Sequence, residues 1–427
     1  MREDSIYPGL GPPGGPLEGS PAITFNFTTD SLLTERRRAS HSVSSVPTEL
    51  TPDLLCFSHL RWDFVFQRPQ HLLTRANRHS RVFFIEEPIF VPKSEIPRME
   101  IRRVGERLYV ATPRLHEGLS PEDLVDWQRD LVDLLIDERC VQRFTAWYYT
   151  PMALAFSDHL QPQLTVYDCM DELSAFRGAP TMLLDWERRL YERTDLVFTG
   201  GQSLFEAKQG RHPRVYAFPS SIDKSHFGKA RQPISEPEDQ QCIEGIKLGF
   251  FGVIDERFDI DLLASLATRR PEWQFLLLGP VVKIAPESLP QNANIHYLGM
   301  KSYDELPNYI GHWHTALLPF ALNESTRFIS PTKTPEYLAA GRPVVSTPIR
   351  DVVRPYGEEG LVQIAATVDD FERAIEKAIA NRLCATWLAD VDNFLSTNSW
   401  DLTWERMQRL MAEQLVRQAR MAASIGN

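Results

Sequence analysis

The chain has 427 residues, 43% of them hydrophobic, and a formal net charge of −11, and these values exclude several classes of protein. The acidic balance argues against general nucleic-acid binding, which needs a basic surface. The length is too great for one ordinary hydrophobic core, so we expect two domains. No apolar run is long enough to cross a bilayer, the N-terminus lacks a secretory signal, and the five cysteines are dispersed, a combination typical of a cytoplasmic protein.

The composition changes near residue 48. Residues 1–48 are rich in Gly, Pro, Ser and Thr, and this composition predicts a disordered tail. In residues 49–230, short apolar runs such as "DLLCFSH" and "RVFFIEEP" alternate with helical patterns such as "RPQHLLTRANR". The alternation predicts a Rossmann-like domain with a parallel sheet, and the ligands of such a sheet lie beyond the carboxyl ends of its strands.

A polar, proline-bearing stretch at 231–244 predicts a linker, and a second strand–helix series follows it at 245–398. Its strand patterns include "IKLGFFGVI", "WQFLLLGP" and "RPVVST", and they predict a second Rossmann-like domain. At 399–427, Trp404 and Met407 begin an apolar stripe with helical spacing, which predicts a terminal amphipathic helix. The predicted fold class is therefore α/β, with two Rossmann-like domains facing a central cleft.

The segment "SPTKTPEYLAAGRPVVS" carries the strongest chemical signal. Lys333 and Glu336 are three residues apart, so a helix that begins here places both on its first turn. A lysine beside the free N–H groups of a helix start suits a phosphate, and a carboxylate suits the adjacent hydroxyls of a ribose. Arg257 follows the strand pattern "GFFGVI" and supplies a second cation for a diphosphate. The alternative is a pair of surface salt bridges, one joining Arg257 to Asp255 or Glu256 and the other joining Lys333 to Glu336.

Several common catalytic motifs do not occur. The chain has no GxGxxG after its first strand, no P-loop, no HExxH and no GxSxG. Two Asp-x-Asp triplets, Asp259–Asp261 and Asp390–Asp392, fit a divalent metal, but the first opens an apolar run as the acidic start of a helix does. We therefore expect no metal and no cofactor, because cationic side chains can stabilise a leaving diphosphate instead.

Six further segments, together with the lysine-bearing segment, resemble one family. They are "FSHLRWDFVFQRPQHLL", "WYYTPMAL", "VYDCMDELSAFRGAP", "LVFTGGQSLFEAK", "FPSSID" and "GFFGVIDERFD". From about residue 53 to residue 410, the chain resembles GT-B glycosyltransferases of the bacterial TuaH-like family, which is related to teichuronic acid synthesis. The resemblance implies a metal-independent, retaining enzyme that uses a UDP- or GDP-linked sugar. Its acceptor would be a hydroxyl of a cell-surface or exopolysaccharide glycan, or of a lipid-linked acceptor.

The resemblance also implies roles for individual residues. In the GT-B fold a lysine or arginine meets the diphosphate, a glutamate meets the ribose, and a histidine after the first strand lies near the reacting sugar. The predicted catalytic residues are His59, Arg257 and Lys333, and the alternative for His59 is a structural cap of the next helix. The predicted donor-binding residues are Glu336, Ser330, Glu324, Gly252, Leu298, Gly299 and Met300. The predicted acceptor-binding residues, at strand ends and on the rim of the N-terminal half, are Asp63, Arg68, Asp168, Asp171 and Gly200.

One departure from the family pattern concerns recognition of the donor sugar. Many retaining GT-B enzymes carry a second acid eight positions before the ribose glutamate, and Phe328 stands at that position here. Asn323, Glu324 and Ser330 are the candidates to replace the acid. Two other functions stay open: a sugar-nucleotide epimerase of the same fold, and a non-catalytic member that binds nucleotide sugar within a polysaccharide assembly.

Six arginines make the N-terminal half locally basic despite the acidic total. They are Arg75, Arg78, Arg81, Arg102, Arg103 and Arg107. Such a patch suits peripheral contact with anionic lipid at the inner face of the membrane, where a lipid-linked acceptor would be found. The alternative is a set of solvated arginines.

Overall fold

The computed structural model describes residues 52–425, and within them the fold is α/β, as the sequence predicts. The tail predicted at 1–48 lies outside the described residues. Two sheets divide the described chain into a first domain, with strands between residues 53 and 217, and a second domain, with strands between 246 and 364.

The strands are short and mostly buried. They are β1 (Asp53–Phe57), β2 (Val82–Ile85), β3 (Ile89–Val91), β4 (Arg98–Arg103), β5 (Leu108–His116), β6 (Phe144–Tyr148), β7 (Leu164–Cys169), β8 (Leu196–Thr199), β9 (Val215–Ala217), β10 (Ile246–Phe251), β11 (Trp273–Leu278), β12 (Ile295–Gly299), β13 (Thr315–Leu318), β14 (Val344–Ser346) and β15 (Val362–Ile364). β10 shows why they form, because all but its first residue are buried. A parallel strand with helices on both faces needs such a continuous apolar run.

Helices connect most of the strands. They are α1 (Arg68–Ala76), α2 (Pro121–Glu138), α3 (Leu154–Ser157), α4 (Leu183–Arg193), α5 (Gln202–Lys208), α6 (Lys224–Phe227), α7 (Glu238–Gln241), α8 (Ile260–Arg269), α9 (Leu306–Ile310), α10 (Lys333–Ala339), α11 (Arg350–Val352), α12 (Val368–Asn381), α13 (Ala385–Leu395) and α14 (Trp400–Ile425). Within residues 52–425, no helix combines the length and the apolar character that a membrane crossing requires.

Strand order places the ligand crevice of each domain. The first sheet runs β3-β5-β2-β1-β6-β7-β8-β9, with β4 antiparallel to β5. The second runs β12-β11-β10-β13-β14-β15, and its neighbouring strands are all parallel. In each sheet the order reverses beside the domain's first strand, β1 or β10, and ligands of open α/β sheets bind at such a reversal. The residues that follow β1 and β10 therefore lie where a ligand is expected.

The segment between the two sheets is packed. Ile222, Phe227 and Ala230 belong to the hydrophobic core of the second domain, although the predicted boundary placed residues up to 230 in the first. Gln240, inside the predicted linker at 231–244, is fully buried. The apolar side chains around α6 face the second sheet, so the structural boundary lies near residue 220.

α14 returns the chain to the first domain and, within the described residues, confirms the terminal amphipathic helix that was predicted at 399–427. The side chains that pack there are Trp400, Trp404 and Met407, which are buried, and Met411 and Leu415, which are partly buried. They share one core cluster with apolar residues of β1, α1 and β7, and the ring of Trp404 lies 6.0 Å from that of Trp147 in β6. The last element of the described chain thus completes the core of the first domain.

Candidate active site

Lys333 begins α10, and its side chain lies directly against the backbone of Gly252, which follows β10. Gly252 has a φ of +137°, and a Cβ atom there would overlap Lys333 Cε and lie 2.6 Å from Nζ. Gly279, after β11, has a φ of +141°, and a Cβ atom there would overlap the Gly252 carbonyl. Gly252 therefore leaves the space that the lysine side chain occupies, and Gly279 leaves the space for the Gly252 backbone.

Glu336 lies on the first turn of α10 and is only 4% exposed. Among residues 52–425, its Oε2 atom has no hydrogen-bond partner. Within the same residues, Lys333 has no carboxylate oxygen within the 4.0 Å of an ion pair. Burial raises the pKa of Glu336 and lowers that of Lys333, and their opposite charges counteract both shifts. The structure does not show the alternative Lys333–Glu336 salt bridge, and it leaves a buried acceptor open to a hydroxyl donor.

Arg257 follows β10 and forms a bidentate ion pair with Asp255. Nε lies 2.9 Å from Oδ1, and Nη2 lies 2.6 Å from Oδ2. This is one of the pairings that the salt-bridge alternative predicts. The pair does not use the whole guanidinium, whose Cζ lies 5.3 Å from the ring centre of Phe176 in the first domain. Arg257 therefore faces across the cleft.

Asp171 is the acidic group of the first domain that faces these cations. Burial raises the pKa of Asp171, Arg257 and Lys333 counteract the rise, and Asp255 adds to it. The three charged groups that the sequence placed in separate segments thus share one site, with Asp171 on one wall of the cleft and Lys333 and Arg257 on the other.

His59 follows β1, at the crevice of the first sheet. Burial and, to a smaller extent, the ammonium of Lys283 lower the pKa of His59 to about 4, so the ring is neutral at pH 7. Lys283 comes from the second domain, has a φ of +61°, and places Nζ 5.0 Å from the ring centre of Phe176. A neutral imidazole donates from one nitrogen and accepts at the other, which suits the hydroxyl groups of a sugar.

Two solved structures resemble the whole fold. The E. coli structure described as trehalose-6-phosphate bound with UDP-2-fluoro glucose has a TM-score of 0.60 and 12% identity, covering 84% of this chain and 99% of that chain. The catalytic domain of starch synthase IV from Arabidopsis thaliana, bound to ADP and acarbose, has a TM-score of 0.60 and 9% identity, covering 86% and 99%. At these identities the likeness shows the fold alone.

Sequence comparison adds the family. Residues 247–381 match the model described as "Glycosyl transferases group 1", and this range contains Arg257, Lys333 and Glu336. TuaH of Bacillus subtilis (strain 168), assigned as a teichuronic acid biosynthesis glycosyltransferase, is 24% identical over 287 residues, 63% of this chain and 72% of that protein. This protein is a glycosyltransferase with the GT-B fold.

Three predicted donor-binding residues of the glycosyltransferase, Leu298, Gly299 and Met300, lie at the end of β12. The Gly299 carbonyl accepts a hydrogen bond from the Gly279 N–H at 2.8 Å, and the Gly252 N–H donates to the carbonyl of the last residue of β11 at 2.8 Å. The strand ends are therefore linked side by side. Their contact with a nucleobase stays a prediction.

Glu324, one candidate for the missing acid, points away from the lysine site. Its side chain is 76% exposed and lies 3.6 Å from Arg327. It lines a cavity of about 640 Å³ between α5 and the segments 322–328 and 348–350. The structure does not bring this carboxylate together with Lys333.

The other candidates, Ser330 and Asn323, make hydrogen bonds within the protein through a backbone carbonyl and a side-chain oxygen, respectively. The Ser330 carbonyl accepts a hydrogen bond from Ser220 Oγ of the first domain at 2.5 Å. Asn323 Oδ1 accepts from the Thr326 N–H at 3.2 Å and caps a short turn. Phe328 itself packs against the apolar core of the first domain. The position that carries an acid in the resembling enzymes thus serves a contact between domains here.

Arg68 and Asp168, both predicted to bind acceptor, bind each other inside the first domain. Arg68 Nε lies 3.0 Å from both Asp168 oxygens, and Nη2 lies 2.8 Å from Oδ1. The two residues are 4% and 0% exposed, and Arg68 Nη1 donates to the Phe218 carbonyl at 2.8 Å. The pair joins α1 to the end of β7 and so positions the nearby Asp171. Direct contact of the pair with an acceptor stays a prediction that its burial does not favour.

The remaining acceptor residues lie apart. Asp63 is exposed and pairs with Arg102. A Cβ atom at Gly200 would overlap the Met170 carbonyl, so this glycine permits two strand ends to approach rather than a ligand. Of the five predicted acceptor residues, Asp171 is the one that the structure places beside the cations of the second domain.

The basic patch of the first domain is largely neutralised. Its ion pairs join Arg75 and Arg78 to Asp401, Arg81 to Asp53, Arg102 to Asp63, and Arg107 to Glu106. The sixth residue, Arg103, donates to backbone carbonyls. Membrane contact through this patch stays a prediction, and these pairs do not favour it.

Sequence reasoning missed Phe176 and Lys283. Phe176 lies in a segment that carries the family resemblance, but nothing in its spacing signals contact with two cations from another domain. Lys283 follows "WQFLLLGP", and its place just beyond a strand end is the one signal that was available.

Proposed function

We propose that this glycosyltransferase moves a sugar from a UDP- or GDP-linked donor to a hydroxyl of a cell-surface or exopolysaccharide acceptor, glycan or lipid-linked. The observation that carries the proposal is the buried Glu336 carboxylate, which has no partner for Oε2 among the described residues and lies beside the Lys333 ammonium. A ribose offers two adjacent hydroxyl donors to the carboxylate, and a diphosphate offers anionic oxygens to the ammonium. The UDP-2-fluoro glucose and ADP of the two similar structures support this donor class.

The proposed chemistry begins with the bond between the sugar and the diphosphate. As that bond breaks, negative charge develops on the leaving phosphate oxygen, and Lys333 and Arg257 would stabilise it. Fixed cations in a buried site act strongly on such developing charge. Because burial lowers the pKa of Lys333, an arriving diphosphate would also favour the charged form of the lysine.

On the acceptor side, Asp171 and His59 are the groups in reach. The Asp171 carboxylate would accept a hydrogen bond from the incoming hydroxyl, and neutral His59 would bind a hydroxyl of the reacting sugar. We further propose retention of the anomeric configuration, because the chain resembles retaining families of the GT-B fold.

We also propose that no metal takes part. Both Asp-x-Asp triplets have other partners: Asp259 Oδ1 accepts from the Leu262 N–H at 2.9 Å at the start of α8, and Asp392 Oδ1 lies 2.8 Å from Arg231. In this proposal Lys333 and Arg257 supply the positive charge that a metal would otherwise bring to the diphosphate.

A thermal-shift screen tests the proposal. Purified protein is mixed with UDP-glucose, GDP-mannose, ADP-glucose or dTDP-glucose, with and without EDTA, and the screen is repeated on Lys333→Ala. At 100 times its dissociation constant, a ligand adds about 2.7 kcal/mol to the free energy of unfolding. We expect one nucleotide class to stabilise the wild type regardless of EDTA and to lose its effect on Lys333→Ala. Lys377→Ala, an exposed lysine of α12, is the matched control.

The same screen, followed by an assay of what happens to the bound nucleotide sugar, distinguishes the other functions. Equal stabilisation of the wild type and Lys333→Ala would remove the lysine from the donor site and overturn the proposal. Conversion of free nucleotide sugar without any acceptor would favour the epimerase. Binding without transfer or hydrolysis would favour the non-catalytic member.

A further inference from the structure

Glu256 is a buried carboxylate of the cleft that the proposed chemistry does not use. It lies between Asp255 and Arg257, its side chain is 14% exposed, and neither Oε1 nor Oε2 has a hydrogen-bond partner among residues 52–425. The nearest cation is Lys283, whose Nζ lies 4.0 Å from Oε1, beyond hydrogen-bond distance. A buried carboxylate that accepts no hydrogen bond costs folding free energy. Such a carboxylate is suited to accept hydrogen bonds from a ligand instead.

The backbone on both sides of this carboxylate is fixed. Asn323 Nδ2 donates to the Glu256 carbonyl at 3.1 Å. The Arg257 N–H donates to Asp255 Oδ1 at 3.0 Å, and the Arg257 carbonyl accepts from the Ala321 N–H at 2.8 Å. Three hydrogen bonds therefore hold the backbone of Glu256 and Arg257. A carboxylate on such a support is positioned before the ligand arrives.

The charged groups of the cleft follow an order. Glu336 adjoins Lys333, and Lys333 adjoins Arg257. Glu256 then adjoins both Arg257 and Lys283, and Lys283 adjoins His59. Arg257 Cζ and Lys283 Nζ lie 5.3 and 5.0 Å from the ring centre of Phe176, and Glu256 Oε1 lies 4.0 Å from Lys283 Nζ, so Glu256 lies at the cleft beside these cations. If Glu336 binds the ribose and the cations bind the diphosphate, a sugar ring that continues past the cations reaches Glu256.

We propose that Glu256 binds hydroxyl groups of the donor's sugar, an inference that rests on the proposed function. Two oxygens without partners accept from two hydroxyl donors, and Lys283 is placed to donate to a third oxygen of the ring. The sugar is therefore of the neutral, polyhydroxylated class, since the carboxylate of a uronic acid would face the Glu256 charge. Glu256 takes the role for which Asn323, Glu324 and Ser330 were the sequence candidates.

The test distinguishes the contribution of the sugar to binding from that of the nucleotide. The probes are the member of the four-sugar panel that stabilises the wild type and its free nucleoside diphosphate, with both dissociation constants measured by calorimetry. For Glu256→Gln we expect the affinity for the nucleotide sugar to fall about 10- to 100-fold, as for a lost hydrogen bond to a charged group, with the affinity for the diphosphate within about twofold of wild type. Glu359→Gln, an exposed acid of the same domain, is the matched control and changes neither constant.

Three results would overturn the inference. They are an equal loss for nucleotide sugar and free diphosphate, no loss for either, and a selective loss in Glu324→Gln instead of Glu256→Gln. Thermal unfolding of Glu256→Gln shows whether the variant is folded, and Glu256→Ala provides a second variant if it is not. If the wild type binds neither the panel nor the free diphosphates, the proposed function fails first and this inference fails with it.

Discussion

The Lys333 side chain packs directly against Gly252, so the position of the active-site ammonium depends on a glycine. The left-handed backbone at Gly252 and the missing side chain are both needed, the first for the turn after β10 and the second for the lysine. A similar dependence joins Gly279 to Gly252. The phosphate end of the proposed site is therefore built from backbone as much as from side chains.

Gly252→Ala should therefore lose nucleotide affinity as well as stability. The strained backbone should cost about 1–3 kcal/mol of unfolding free energy, and the displaced lysine should weaken nucleotide-sugar binding by at least about tenfold. Urea unfolding and calorimetric titration measure the two effects. Gly118→Ala is the matched control, because Gly118 also has a positive φ, +75°, but nothing lies within 4 Å of the added Cβ. Equal binding by the two variants would contradict the role of the Gly252 contact.

At the scale of elements, α14 and α1 depend on each other. His71 of α1 is 3% exposed and stacks on Trp400 of α14, with ring centres 4.5 Å apart. Arg75 of α1 lies 2.8 Å from Asp401 of α14. α14 thus covers α1, and the resulting burial lowers the pKa of His71.

The stability of this contact should fall in acid. Burial, with smaller contributions from Arg75 and His226, lowers the pKa of His71 from 6.5 to about 3, and Asp223 opposes the shift. Because the folded pKa is below the unfolded pKa, the contribution is complete above pH 6.5 and is lost as pH falls towards 3. Between pH 7 and pH 5 this group alone should remove about 2 kcal/mol of unfolding free energy.

Urea unfolding of wild type and His71→Phe at the two pH values measures this loss. The variant keeps a ring against Trp400 and cannot titrate, so its stability should fall about 2 kcal/mol less than that of wild type. The substitution also loses no hydrogen bond at Nε2 of His71, because that atom has no partner among the described residues. An identical pH dependence of the two proteins would show that His71 is not the titrating group.

Across the whole molecule, the two domains meet through polar and aromatic contacts. The Ser203 N–H, at the start of α5, donates to Asp351 Oδ1 of the second domain at 3.0 Å. The rings of Phe66 and Tyr303 stack with centres 4.3 Å apart. Gly201 fits beneath Asp351, because a Cβ atom there would overlap Oδ2. The site forms where these contacts bring Asp171 and His59 to the second domain.

Gly201→Ala should separate the domains without damaging the nucleotide site. The added methyl group displaces Asp351, so we expect a larger radius of gyration by small-angle X-ray scattering and unchanged nucleoside diphosphate affinity. Once an acceptor is known, transfer should be about 10- to 100-fold slower, because the reacting groups are misplaced. Gly228→Ala, where nothing lies within 4 Å of the new Cβ, is the control. An unchanged radius of gyration would show that the contact does not hold the domains together.

Local patterns were enough to predict the two domains, the terminal helix, and the placement of Lys333 and Glu336 on one helical turn. Apolar periodicity and three-residue spacing act over a few neighbouring residues, and the sequence displays them directly. Arg257 was also predicted from a local pattern, its place directly after a strand, and its role at the diphosphate stays a prediction.

The partners of the charged residues could not be read from local patterns. Arg68 and Asp168 are 100 positions apart, and only the folded sheet shows that each neutralises the other. Phe176 meets Arg257 and Lys283 only because two domains face each other. No local pattern in the sequence points to Glu256. It stands out only in the folded structure, because neither of its carboxylate oxygens has a hydrogen-bond partner among the described residues.

The return of α14 means that the described chain passes between the domains twice. The two passages lie side by side: Ser221 Oγ donates to Asn398 Oδ1 at 2.5 Å, and Lys224 Nζ donates to the Leu395 carbonyl at 3.0 Å. Two joined passages restrict opening to rotation about a single axis near them and resist twisting of one domain against the other. Each closure should therefore follow the same arc and restore the same separation between His59 and Lys333.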